Sequence, residues 1–275
     1  MSRLSYALVW FLVVAALGAG AYFWWQRPSP QPPVTLPVAE VKPPVAPPAA
    51  PAIEHPIEAA PGAAAALPPL DEADAQVKAA LTDLLGAQAV LSFLQVDGFV
   101  RHAVATVDNL ARPHAAPRLW PVKQTPGRFA VSGSGTERVV STENARRYAP
   151  FVAFIENVDT GRAVALYVRL YPLFQQAYEQ LGYPGRYFND RLVAVIDHLL
   201  QTPDPAGPLK VQLTEVRGEL KSVRPWVRYQ FSDPALEALS AGQKMLLRMG
   251  PVNARRLKAK LIDIRHQVAG VAAAR

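Results

Sequence analysis

The stretch that decides the fold reads Val164-Ala-Leu-Tyr-Val-Arg-Leu-Tyr-Pro-Leu-Phe-Gln-Gln-Ala-Tyr-Glu-Gln-Leu-Gly182, then Tyr-Pro-Gly-Arg-Tyr-Phe-Asn-Asp190, then Arg-Leu-Val-Ala-Val-Ile-Asp-His-Leu-Leu200. Val164, Tyr167, Tyr171, Phe174, Tyr178 and Leu181 recur at intervals of three and four, the signature of one helical face. Leu166, Leu170, Leu173 and Ala177 form a second apolar row. Only Arg169, Gln176 and Glu179 mark a polar strip, and a helix apolar over most of its circumference is normally surrounded by other elements. Asp159-Thr160 opens it and Gly182 closes it. Pro172 either kinks it or divides it, because proline lacks an N–H and crowds the preceding turn. After the tight Tyr183-Pro184-Gly185 connection, residues 190–201 form a two-sided helix that buries Leu192, Val193, Val195, Ile196, Leu199 and Leu200.

Moving outward, helical periodicity is read with Asp71 as N-cap and Gly86 as stop, over 87–95, and over Phe99–Leu110. Residues 113–135 form a long Pro/Gly/Ser-rich excursion pinned by Trp120 and Phe129, with a short strand at 128–131. Ser141 or Thr142 caps a helix carrying Tyr148, Phe151, Val152 and Ile155. The convincing β signal is the alternation of 209–216 and of 226–231, joined by a turn at Arg217-Gly218. Asp233-Pro234 and the Ser240–Gln243 capping box start two further helices. Leu257, Leu261, Ile264 and Val268 give the last helix its buried row. The expected fold is mainly α, with one helical domain over 70–268, a small β hairpin, and a disordered tail at 269–275.

Two segments precede that domain. Leu4 to Trp25 contains a single plainly polar residue, Ser5, and at 1.5 Å per residue it reaches ~33 Å, the thickness of a bilayer core. Tyr22, Phe23, Trp24 and Trp25 close the run, as suits a membrane–water interface. A cleaved signal peptide ending at Ala19-Gly20-Ala21 is the rival reading. It fits less well, because only Arg3 precedes the apolar run and the run continues past that point. Residues 1–27 are thus expected to be a single-pass anchor. Residues 28–69 hold 14 prolines interleaved with Ala and Val, a composition expected to give a disordered linker of up to ~130 Å at about 3.1 Å per residue. The slight excess of positive charge before the span favours an internal N-terminus. A bacterial inner-membrane protein with a periplasmic body is the expectation.

The chain also resembles an uncharacterised proteobacterial family catalogued as domain of unknown function 3014. The resemblance rests on Leu70-Asp71-Glu72-Ala-Asp74, Val107-Asp-Asn-Leu110 and Arg147-Tyr148. It rests most on Tyr171-Pro-Leu-Phe-Gln-Gln-Ala-Tyr-Glu-Gln-Leu-Gly-Tyr-Pro184, Val195-Ile-Asp-His-Leu-Leu200 and Gly242-Gln-Lys-Met-Leu-Leu-Arg-Met-Gly250. It implies an anchored single-pass envelope protein and assigns no activity and no site residues.

Chemistry is sparse. There is no phosphate-binding loop, nucleophile elbow or zinc-protease motif, and the 0 cysteines remove thiol chemistry. The 5 histidines are scattered, with no pair at ligand spacing, so neither a metal nor a cofactor is expected. Glu179, Asp190 and Asp197 lie on neighbouring polar strips, where paired carboxylates would suit glycan hydrolysis. The plainer reading is capping by Asp190 and solvated or ion-paired surface groups. The net charge is +7, all of it from the excess of basic residues after Leu70. Arg255, Arg256, Lys258 and Lys260 concentrate that charge on the last helix, an expected contact for anionic lipid, glycan or an acidic envelope protein. Nucleic acid is a target only for a cytoplasm-facing body. The expectation is a non-catalytic binding or scaffolding role, with a cell-wall hydrolase and a nucleic-acid binder as alternatives.

Overall fold

A computed structural model of the chain describes residues 52–57, 67–214 and 224–270. The candidate membrane span, the proline-rich segment through Pro51, the Arg217-Gly218 turn and residues 271–275 lie outside them. Among the described residues no helix is long and apolar enough to cross a membrane.

A single 3-10 turn at Leu70–Glu72 leads into α1 (Asp74–Leu85). Asp71, expected as the N-cap, lies in that turn instead and pairs with Arg101. The Asp74 carboxylate accepts the Gly98 N–H at 2.9 Å, so the acids here tie α1 to the start of a later helix. Gly86 stops α1 with φ 82°, a backbone state that favours glycine. Then come α2 (Ala87–Phe93) and α3 (Phe99–Leu110).

The excursion after α3 returns in β1 (Val131–Ser132), which pairs antiparallel with β2 (Val139–Val140). The expected strand at 128–131 is displaced toward the C-terminus for a clear reason. Buried Asn144 takes both backbone groups of Ala130, accepting its N–H at 3.0 Å and donating to its carbonyl at 2.7 Å. A carboxamide thus takes the Ala130 N–H, and it shares the Ala130 carbonyl with the Ser141 N–H at 3.1 Å.

Next are α4 (Glu143–Asn157), α5 (Thr160–Gln180) and α6 (Phe188–Leu200). Asp159 caps α5 by accepting the Arg162 N–H at 2.7 Å. Pro172 sits inside one continuous α5 and does not divide it. The missing bond to the Val168 carbonyl costs about 3 kcal/mol in an isolated helix. Burial of Leu170, Tyr171 and Leu173 around the proline offsets that cost. Leu181, expected on the apolar face, is exposed.

The hairpin is shorter than its sequence pattern. β3 (Val211–Leu213) pairs with β4 (Tyr229–Phe231) in the register Val211↔Phe231, Gln212↔Gln230 and Leu213↔Tyr229. Trp226 is not in a strand: Pro225 starts a 3-10 turn over Pro225–Val227. An isolated Val139↔Lys210 bridge joins the two strand pairs. The chain closes with α7 (Pro234–Glu237), α8 (Ala241–Arg248) and α9 (Pro251–Gly270). Asp233 caps α7, and the Ser240/Gln243 capping box on α8 is formed reciprocally. Helix α9 runs through Gly270, past the expected tail boundary at 269.

The core follows α5 and α6. Leu170, Leu173, Ala177 and Tyr178 of α5 pack with α1–α3 and with Phe188, the first residue of α6. Val193 meets Val164 and Val268; Val195 and Leu199 meet Leu246. Val211, Phe231 and Leu247 form a separate patch under the hairpin. Helix α8 approaches α3 and α6 so closely that a Cβ on Gly242 would lie 2.5 Å from Leu199 Cδ2 and 2.9 Å from the Leu110 carbonyl oxygen. Gly242→Ala is expected to cost about 1–3 kcal/mol by overpacking. Gly207→Ala, with nothing within 4 Å, should change little. Urea midpoints of the two variants test the difference.

Candidate functional site

Of the residues that sequence reasoning singled out, Asp190 lies at the start of α6. That helix begins two residues before the expected Asp190 because its first N–H groups are capped from α5. The Phe188 N–H donates to Gln175 Oε1 at 2.9 Å, and the Asn189 N–H donates to the Tyr171 hydroxyl at 3.2 Å. Helix-end donors satisfied this way need no N-cap side chain of their own. The Asp190 carboxylate is therefore left for another partner.

That partner is residues 52–57, a segment expected inside the linker. Asp190 accepts the Glu54 N–H at 3.1 Å and the His55 N–H at 2.7 Å. The Tyr187 hydroxyl accepts the Ile57 N–H at 2.6 Å and lies 3.3 Å from the Ile57 carbonyl. Asn189, fully buried, donates to the His55 carbonyl at 2.9 Å and to the Val268 carbonyl at 3.1 Å, while its Oδ1 accepts from Tyr167 at 3.1 Å. Ile57 itself is 8% exposed and belongs to the main core. Pro56, between the gripped residues, has no N–H to satisfy. Residues 52–57 are thus a strap on the body, and the core begins well before Leu70.

Burial raises the Tyr167 and Tyr171 hydroxyls above their ordinary value, so both phenols stay protonated. The two rings meet edge to face at 5.6 Å, and Tyr167 meets Phe174 at 5.3 Å. The strap is therefore received by a rigid aromatic platform.

The other acids have structural partners too. Asp197 faces Arg265 in a two-pronged ion pair, with Arg265 Nη2 2.9 Å from Oδ2. Hydrogen bonding by Arg265, outweighing partial burial, holds the Asp197 carboxyl below its usual range. A group so depressed is ionised at neutral pH and has no proton to donate as a general acid. Glu179 is exposed and accepts from Gln175 Nε2 at 2.9 Å. Asp190 and Asp197 share one helix face separated by seven residues, ~10 Å along its axis.

The other four basic residues of α9 are engaged as well. Arg256 pairs with Glu156, one of its bonds at 2.7 Å, and Lys260 reaches the Glu156 and Val158 carbonyls. Arg255 pairs with Asp204 at 3.2 Å, and Lys258 reaches the Thr202 carbonyl. These contacts lie at the C-terminal ends of α4 and α6, where orphan carbonyls and the negative end of the helix dipole favour cations.

Sequence reasoning passed over Asp108. Its side chain is 5% exposed, and it accepts from Arg112 at 2.6 Å, Arg191 at 3.0 Å and the Tyr183 hydroxyl at 3.1 Å. Its charge raises the Arg112 guanidinium above the ordinary value. The signal was present: Asp108 continues the i, i+4 row of Val100 and Val104, an acid on an apolar face. Among the described residues no group of three or more His, Asp or Glu could hold a metal ion.

A protein-family model described as a protein of unknown function, DUF3014, matches residues 99–265. The chain belongs to this family. No curated protein and no solved structure matches it. The region matched by the DUF3014 model runs from the first residue of α3 to Arg265, the partner of Asp197. It contains Tyr187, Asn189 and Asp190 but not the strap that they hold.

Two outcomes are expected from this geometry. Asp190→Ala removes a charged acceptor shared by two backbone donors, and bonds of this type contribute about 1.5–3 kcal/mol each. Hydrogen exchange at the amides of Glu54, His55 and Ile57 should accelerate, while amides of α8 keep their wild-type rates. The Asp197–Arg265 pair has a pH signature. The folded-state pKa of Asp197 is depressed, so its stabilisation is present above the unfolded carboxylate value of about 3.9 and is lost as pH falls through the folded value. Arg265→Gln should therefore flatten the fall in urea midpoint below about pH 4 relative to wild type.

Proposed function

We propose that this DUF3014 protein is a non-catalytic binding or scaffolding protein of the bacterial envelope. In this reading Leu4 to Trp25 anchors it in the inner membrane, and the helical body lies in the periplasm. The observation that carries the scaffolding reading is the Asp190 clamp. A segment leading from the N-terminal region is gripped through its backbone at a buried platform, so load on the N-terminal side meets the body at one defined place. Anchoring rests on the length and aromatic edge of the apolar run.

Two further features support the reading. Asp190 and Asp197, two of the three candidate acids for hydrolytic chemistry, hold a backbone and an arginine, and the third, Glu179, accepts from Gln175. The linker residues before the strap, 28–51, would reach about 75 Å if fully extended as polyproline II, shorter than the ~130 Å expected for 28–69. The partner we favour is another envelope component, protein or glycan. The basic residues of α9 leave less free charge for an anionic surface than their number suggests.

A fusion of alkaline phosphatase after residue 69 should be active, and a fluorescent-protein fusion at the same point should be dark. The reverse pattern would place the body in the cytoplasm. Recovery of the mature protein in a salt-washed soluble fraction, with its first two dozen residues removed, would end the anchoring reading. Release of soluble fragments from purified peptidoglycan by the wild-type protein would end the non-catalytic one.

A further inference from the structure

The loop after α3, Tyr148 of α4, Glu237 of α7 and one side of α8 line a half-open cavity of about 560 Å³, far from the strap in sequence and built from other elements. Its volume is in the range of small-molecule sites. Trp120 and Tyr148 supply two rings to its wall, Pro117 and Met245 supply apolar surface, and Lys244 and Arg248 supply cations.

The charges do not balance. Lys244 donates to both the Glu237 carboxylate and the Glu237 carbonyl at 3.0 Å, and the second carboxylate oxygen of Glu237 accepts the Phe231 N–H at 2.8 Å. That pair is neutral and fully occupied. Arg248 is different. Its Nη2 donates to the Tyr229 carbonyl at 3.0 Å, and Phe129 and Phe231 flank it at 5.6 and 5.5 Å. Its Nε is buried without an acceptor, and among the described residues no carboxylate lies within ion-pair distance of it. Burial pushes this guanidinium below its ordinary value, and the nearby Glu237 charge offsets only part of that shift.

One more donor sits on the same wall. The Tyr148 hydroxyl accepts from Arg147 at 2.8 Å, which leaves its own proton available to donate. An acceptor in the cavity can take that proton.

We propose that this cavity binds a small organic carboxylate, with its charged head toward Arg248 and its apolar body against Trp120, Tyr148 and Met245. Lys244 and Arg248 against Glu237 leave one net positive charge among the lining groups, which selects a monoanion; a carboxylate is one and a phosphate monoester at neutral pH is not. The rings and the methionine select an apolar body over a sugar or a polar metabolite.

The test uses the purified full-length chain and isothermal titration at pH 7 with 3-phenylpropionate, octanoate, 3-phenylpropanamide and phenyl phosphate. At least one carboxylate should bind saturably, one per chain. The neutral amide should bind at least tenfold more weakly than 3-phenylpropionate. Arg248→Gln, which keeps a donor for the Tyr229 carbonyl, should weaken carboxylate binding tenfold or more. Met245→Trp fills the cavity from another position on α8 and should abolish binding with the melting transition retained, which guards against a folding defect in the arginine variant. Lys78→Gln, exposed on α1, should bind as wild type. Saturable binding of neither carboxylate overturns the site. Equal affinity for the amide, undiminished binding by Arg248→Gln or Met245→Trp, or tighter binding of phenyl phosphate overturns the carboxylate assignment.

Discussion

The fold turns on how the first turn of α6 is satisfied. A helix start carries N–H groups without intrahelical partners, and this one is buried, where such groups are expensive. Gln175 and the Tyr171 hydroxyl, both on α5, accept two of them. The 183–187 connection therefore serves two purposes: it reverses the chain and sets α6 at the height where α5 can cap it. Once that is fixed, Asn189 points inward and joins three separate elements through its carboxamide: α5, the strap and the end of α9. A buried polar group with every bond made specifies one arrangement over near alternatives. The tyrosines of α5 are part of this because their rings fill the core while their hydroxyls serve the network.

Asp108 solves a similar problem from the other side. It brings a charge into the interface between α3 and α6, and desolvating a carboxylate is costly unless donors surround it. Two guanidiniums and a phenol do so. The Tyr183 ring also stacks on Tyr178 at 4.6 Å, so the residue that opens the turn after α5 is held at both its ring and its hydroxyl. The α5–α6 turn is thus tied down at two points, at Asp108 and at the strap. Its sequence, Tyr183-Pro184-Gly185, shows only that the chain turns.

Much of the helical architecture was legible because it depends on local patterns: the apolar rows of α5 and α6, Gly86, the Asp159 cap and the Ser240–Gln243 box. What was not legible depends on partners distant in the chain. Asp190 reads as an N-cap because the true caps, Gln175 and Tyr171, lie a full helix earlier. The strap is hidden by its surroundings: prolines and alanines dominate residues 28–69, and nothing local distinguishes the one isoleucine that enters the core from Ile53, which is 54% exposed. The basic residues of α9 read as a surface patch because a sequence cannot show that the C-terminal ends of α4 and α6 lie beneath them. Strand β1 shifts because a carboxamide on another element competes for Ala130. In each case the local propensity was sound and a long-range hydrogen bond outweighed it.

The contrast between Asp108 and Arg248 carries the last step. Both are charged groups taken largely out of water, and the cost of doing so is set by what is supplied in return. Around Asp108 the chain supplies three side-chain donors, two of them cationic, and the site is closed. Around Arg248 it supplies one carbonyl, two ring faces and a Glu237 charge already paired with Lys244, an environment that tolerates a guanidinium without neutralising it. A cation held in that way beside a cavity keeps most of its attraction for an anion, whereas Asp108 has spent its own on the fold. The same chain therefore contains one buried charge that consolidates structure and one that remains available, and the difference lies in the neighbours rather than in the degree of burial.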